Sequence, residues 1–200
     1  HQDYGVERAY RDSRINRIFE GTNEINRLLA TSMLLKRAQK NRLPLVEAVQ
    51  KLQANLLAPL PLSDSGDHLH AIEQSKGVAL LLLGLAYQKF GTAIEEQQEI
   101  VAEIADVMMA AFALESSVLR AVKNNGSGKR VARGYCELIA RHSWGVIEQA
   151  ATEVIALCSE GDERRTTLML LRKLTRRDMT DTISVRRAVA RTLLDAGRYI

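Results

Sequence analysis

Aromatic side chains make up only 4% of this 200-residue chain, and no stretch alternates apolar and polar residues with the two-residue period of a half-buried strand. A sheet domain held by aromatic and β-branched cross-strand pairs is therefore excluded. Only three prolines interrupt the chain, so long segments are free to run as helix. Cys136 and Cys158 are too few for a disulfide framework and fit a reducing compartment. They share one helical pattern and would lie about 33 Å apart along it, far beyond the reach of a bridge. The longest strongly apolar run, Val78 to Ala86, is shorter than the roughly 20 residues that span a bilayer, so no transmembrane helix is expected. No signal-peptide pattern is visible. The histidines, His1, His68, His70 and His142, lack neighbours at metal-ligand spacing, and His68 and His70 would sit on different faces of a helix; no metal site is expected.

What is present points to an all-α protein. Hydrophobic residues make up 46% and charged residues 26%, the balance of a soluble globular chain. The net charge of +4 conceals an uneven spread. Residues 1–43 hold nine basic and five acidic residues, residues 44–161 nine and fourteen, and residues 162–200 ten and five. Aromatics are not interleaved with the basic residues, and no nucleic-acid reader motif occurs, so nucleic acid is not an expected partner. The pairs Arg164-Arg165, Arg176-Arg177 and Arg186-Arg187 read as solvated helix faces or as contacts to acidic positions such as Glu95, Glu96, Glu99, Glu103 and Asp106.

Helical periodicity and punctuation divide the chain. A first helix covers roughly Val6 to Arg14, with Val6, Tyr10 and Ser13 on one face as packing residues, as is Tyr4. Another opens at Asn23, its apolar stripe being Ile25, Leu28, Leu29, Ser32 or Met33, and Leu35 or Lys36. Pro44 to Leu57 form an amphipathic segment with proline in the first turn, and Ala58 to Gly66 read as a linker. Helices are then expected over about 68–90, 95–124, 129–159, 162–177 and 183–196. Asn124 to Gly128 mark a turn, Gly161 and Gly197 helix ends, and Asp162 and Asp181 or Thr182 caps. Ile100, Ile104, Val107, Ala111, Leu114, Val118 and Val122 form one long stripe. Tyr135, Leu138, Ile139, His142, Val146, Ala150, Val154 and Leu157 form a second, and the two can bury each other in an antiparallel helical bundle. His142 and Trp144 read as packing residues. The resulting organisation is 1–40, 41–66 (amphipathic segment and linker) and 67–200 (helical bundle).

The densest signal lies between the first two helical patterns, in Ile18-Phe19-Glu20-Gly21-Thr22-Asn23. Ile15 to Phe19 read as extended. Gly21 can take backbone conformations closed to other residues, and Thr22 can cap the helix that opens at Asn23. A carboxylate beside a helix N-terminus can simply stabilise the helix, by about 0.3 to 1 kcal/mol. Free N–H groups there can equally face an anion or a polarised carbonyl. Residue spacing alone leaves both open.

Together with Arg11-Asp12 and Arg14-Ile15, this segment resembles the C-terminal signature of the flavin-dependent acyl-CoA dehydrogenases, and Phe19 before the Glu is similar to the very-long-chain branch. The resemblance covers residues 4 to 40. It implies that Glu20 is the catalytic base, removing the α-proton of an acyl-CoA thioester while the β-hydrogen leaves as hydride to FAD. The product would be a trans-2-enoyl-CoA, as in fatty-acid β-oxidation. That base role needs a dry apolar cleft, with Ile18 and Phe19 as wall residues. The resemblance further implies that Gly21 lets substrate approach the backbone and that the Glu20 N–H helps hold the thioester oxygen. Thr22, Asn23 and Glu24 would contact FAD. Arg11, Asp12 and Arg14 read as ion-pairing residues that fix the turn before Glu20.

A complete enzyme of that family also needs an N-terminal helical domain and a β-domain, so the chain reads as a C-terminal fragment, inactive alone. The resemblance implies an electron-transfer flavoprotein as redox partner, a homodimeric parent, and a cytoplasmic (bacterial) or mitochondrial-matrix location. It also raises peripheral membrane contact through residues 44–57, although a helix packed into its own protein suits their single Lys51 better. The competing reading is a helical dimerisation or membrane-docking module without chemistry, since residues 65–200 show no second active site.

Overall fold

The computed structural model describes residues 3, 5–57, 68–123 and 129–197. These form α1 (Val6–Ile15), α2 (Asn23–Gln39), α3 (Leu45–Leu57), α4 (His68–Phe90), a short 3-10 helix (Gly91–Glu96), α5 (Gln98–Lys123), α6 (Lys129–Cys158), α7 (Gly161–Leu174) and α8 (Thr182–Ala196). No strand occurs among the described residues, in keeping with the absence of any two-residue period. Tyr4, the linker at 58–66 and the turn at 124–128 fall outside them.

The fold is organised around α4, which is apolar on nearly all sides and packs against α3, α5, α6 and α7. Leu82 of α4, Ile104 and Val107 of α5, and Ile147, Val154 and Ile155 of α6 meet in one buried cluster that also takes in Leu35 of α2, Leu56 of α3 and Leu174 of α7. By length and composition, α4 with the 3-10 helix could cross a membrane, and half of that apolar window is buried inside the protein. The count of consecutive apolar residues missed it because isolated polar and small residues break the run without lowering its average. Its packing is that of a core helix, with neighbours on several sides.

Glycine brings helices close where a side chain would not fit. A Cβ on Gly84 would lie 2.9 Å from Val49 Cγ1 of α3, so α3 lies directly on α4. The amphipathic face of α3 is thereby spent on its own protein, and Lys173 Nζ of α7 donates to Leu56 O at 2.6 Å. A Cβ on Gly134 of α6 would lie 2.6 Å from Val189 Cγ2, the buried residue of α8. Gly134→Val should therefore push α8 off α6. Overpacking costs about 1–3 kcal/mol, more than the helix-propensity gain of under about 1 kcal/mol from replacing glycine. The expected result is a lower chemical-denaturation midpoint together with loss of amide protection confined to α8; an unchanged midpoint with α8 still protected would contradict this packing.

Several expectations are corrected. Ile15 to Phe19 are not extended: Ile18 N–H donates to Ile15 O at 2.8 Å and Arg17 N–H to Arg14 O at 3.2 Å. With no neighbouring strand, local bonds satisfy the backbone instead. None of the α1 residues is buried; Val6 and Tyr10 are largely exposed and join no hydrophobic core among the described residues. On α2 the inward residues are Leu28, Thr31 and Leu35, whereas Ile25, Leu29 and Met33 are exposed. The apolar stripe is wider than the surface α5 covers. On α6 Ala150 and Val154 are buried as expected, but the inward face also runs through Cys136, Ser143, Trp144, Ile147, Ala151 and Cys158, leaving His142 exposed and Leu157 half-exposed, so only Trp144 of the pair His142 and Trp144 is a packing residue. Val122 is also exposed. Asp162 does not cap α7; it pairs with Arg165 Nη1 at 3.0 Å.

The arginine pairs do not reach the acidic residues of α5. Arg177 makes two bonds to Glu148, at 2.5 and 3.0 Å, and holds that carboxyl below its ordinary range. Arg164 donates to Ser159 O and Ala156 O at the end of α6. Instead α2 supplies the cations: Arg27 pairs with Asp106 and Lys36 with Glu95. Both thiols are free and buried, and burial raises the pKa of each.

Candidate active site

Glu20 adopts φ 61° and Gly21 φ 80°. Two consecutive left-handed residues reverse the chain between α1 and α2. For Glu20 this conformation costs about 1–2 kcal/mol, and such strain persists only where surroundings impose it. Asn26 bonds to the next residue of the turn. Its Nδ2 donates to Gly21 O at 2.7 Å, and its Oδ1 lies 2.8 Å from where a Cβ on residue 21 would sit. Glycine is thus favoured at 21 by φ, and a Cβ there would also displace the Asn26 amide.

Thr22 caps α2, its Oγ1 accepting from Ile25 N–H at 3.4 Å, while Thr22 O accepts from Asn26 N–H at 2.8 Å. The amides of Asn23 and Glu24 remain as open donors of the first helical turn, and both side chains are exposed. This end of α2 suits the phosphate part of a nucleotide cofactor. The Asn23 amide and the Thr22 hydroxyl can add donors, whereas the Glu24 carboxylate can only accept.

The Glu20 carboxylate is exposed and has no bonding partner among the described residues. Ile18 and Phe19 are 70% and 47% exposed, so the walls implied by the sequence are present but enclose nothing within this chain. The clefts nearest to pockets lie elsewhere. One is between α4 and the α6–α7 junction, beside Lys89, Cys158 and Glu163, and another between α6 and α8, beside Gly134 and Val189. Neither touches the Glu20 turn. Of the expected ion pairs before the turn, Arg11 meets Glu7 at 2.7 Å, while Arg14 donates to the Tyr10 hydroxyl at 3.0 Å. These bonds stiffen α1 rather than reach the turn. Among the described residues no three His, Cys, Asp or Glu converge as a metal site.

Two residues of the site were missed in the sequence: Asn26, five positions after Gly21, and Arg27, whose pairing with Asp106 ties α2 to α5. The signal for Asn26 was a short polar side chain in a first helical turn, where it can bond nearby backbone.

Residues 1–35 match a model of the acyl-CoA dehydrogenase C-terminal domain, and residues 74–173, half of the chain, match a second model of the same description. The chain belongs to the acyl-CoA dehydrogenase C-terminal domain family. It is 43% identical over 206 aligned positions to a probable acyl-CoA dehydrogenase of Bacillus subtilis, an alignment taking in 99% of this chain and 35% of that protein. A shorter match, 51% over 37 residues, is to cyclohexane-1-carbonyl-CoA dehydrogenase of Geobacter metallireducens, covering 18% of this chain and 10% of that one. The crystal structure of an acyl-CoA dehydrogenase complexed with FAD from Bacillus anthracis superposes with a TM-score of 0.90 at 38% identity, over 100% of this chain and 35% of that one. The chain thus spans about a third of the length of these two Bacillus relatives. The all-α expectation agrees with the C-terminal domain of the family.

Proposed function

We propose that the chain is the C-terminal part of a flavin-dependent acyl-CoA dehydrogenase in which Glu20 is the base. The observation that carries this reading is the strained turn: a glutamate at φ 61° beside a glycine at φ 80°, immediately before a capped helix N-terminus. In the assembled enzyme Glu20 takes the α-proton of the thioester, and its N–H, projecting from the same turn, donates to the thioester oxygen as negative charge grows there. Gly21 keeps the backbone open to substrate. Thr22, Asn23 and Glu24 lie against FAD, which when bound supplies the acceptor for the β-hydride. The FAD-bound relative at 38% identity supports this assignment. Acyl-CoA-dependent bleaching of the flavin in the longer protein, abolished by Glu20→Gln, is its test.

Finer elements of the proposal are trans-2-enoyl-CoA as product in β-oxidation, an electron-transfer flavoprotein as oxidant of the reduced flavin, and a homodimeric cytoplasmic enzyme nearest the very-long-chain branch. Its division is 1–40 as the end of the catalytic helical domain, 41–66 as connector and 67–200 as appended bundle. Because Glu20, Ile18 and Phe19 are open to solvent here, the missing walls come from the rest of the longer protein. The 200-residue chain by itself is therefore expected to bind neither FAD nor acyl-CoA. Gel filtration after incubation with FAD checks this, and a stoichiometric yellow peak would contradict the division of the site.

A further inference from the structure

We propose that Asn26 is a positioning residue for Glu20 and that the pairing of Arg27 with Asp106 extends its hold to the bundle. The proposal rests on the reading of Glu20 as base. Asn26 acts on the turn through one bond: its Nδ2 donates to the Gly21 carbonyl at 2.7 Å. The Gly21 carbonyl is thereby fixed relative to α2, and Glu20, joined to Gly21 by a planar peptide, is held in its left-handed conformation.

The next residue anchors α2 itself. Arg27 reaches across to Asp106 on α5, and the neighbouring Thr31 Oγ1, fully buried, donates to Val101 O at 3.0 Å. Glu103 adds a second carboxylate near Arg27; burial, then the charge of Asp106, raise its pKa, and Arg27 offsets part of that rise. Losing Arg27 would leave these carboxylates facing one another, so Arg27 is the stronger lever than either acid. The contact joins the segments covered by the two family models, residues 1–35 and 74–173. The bundle thus supports the base without touching it.

Asn26→Asp separates positioning from folding. Aspartate has the same shape and, in the first turn of a helix, is electrostatically favourable, but it cannot donate to the Gly21 carbonyl. A merely structural Asn26 would lose flavin and melting temperature in step with kcat. In the longer flavoprotein, Asn26→Asp should lower kcat by about 10- to 100-fold, the size of effect that a small misplacement of a catalytic group produces. KM, flavin content and melting temperature should stay near wild type. Arg27→Met should lower kcat in the same sense, with Arg27→Lys restoring most of it. In the 200-residue chain, backbone chemical shifts of Glu20 and Gly21 should leave left-handed values in Asn26→Asp while those of α5 stay in place. Unchanged kcat in Asn26→Asp, or a fall matched by equal loss of flavin and of melting temperature, would overturn the proposal. Persistence of activity in Glu20→Gln would instead overturn the assignment of the base, and the chemical shifts would still decide whether Asn26 holds the turn.

Discussion

Glu20→Gln in the longer flavoprotein should leave FAD bound and lower acyl-CoA-dependent flavin reduction by about 10³-fold or more. Glutamine has the shape of glutamate and adopts the left-handed conformation at a similar cost, so the turn, its bond from Asn26 and the Thr22 cap all survive. What is lost is the lone pair that accepts the α-proton; a neutral amide is far too weak a base to replace it. Glu20→Asp keeps the base but withdraws it by one methylene, so its loss should be intermediate. Rapid-reaction measurement of flavin bleaching after mixing with acyl-CoA reads all three proteins. Bleaching by Glu20→Gln at near the wild-type rate would remove Glu20 from the chemistry.

Removing residues 67–200 from the longer protein should cause aggregation or reassociation. In the intact chain, Leu35 of α2 and Leu56 of α3 are buried in the same cluster as α4, α5 and α6, with Leu28, Leu34, Leu45 and Leu52 packed around it. Each fully buried side chain of this size contributes about 1.5–3 kcal/mol, so uncovering the set forfeits an amount comparable to the net stability of a domain, about 5–15 kcal/mol. Thr31 also loses its acceptor at Val101 and Arg27 its partner Asp106. The exposed patch would be contiguous, the kind that drives association. Light scattering of the truncated protein decides the matter. A monodisperse, fully active dimer lacking these residues would show that the bundle serves docking rather than support.

Much of the local structure was legible because it depends on residues a few positions apart. Thr22 capping α2, the Asp181 cap bonding Ile183 and Ser184, and the left-handed Gly197 ending α8 all follow from side chains acting within one turn. The positive φ of Gly21 was legible for the same reason. That Glu20 shares it was not, since a left-handed glutamate is disfavoured by its own residue type.

Sequence by itself determined that this chain is helical and roughly where each helix starts and stops, and it singled out Ile18 to Asn23 as the segment that carries the family resemblance; these depend on period, punctuation and residue type. Tertiary structure alone decided which edge of each apolar stripe turns inward. The stripes on α2 and α6 are wider than a single neighbour can cover, so Leu28 and Leu35 are enclosed while Ile25, Leu29 and Met33 are not. It also decided that Arg27 rather than the paired arginines near the C-terminal end meets the acids of α5, because that choice depends on how α2 lies across α5. Helix period limits the candidates for contact, and only close packing of all the helices together selects among them.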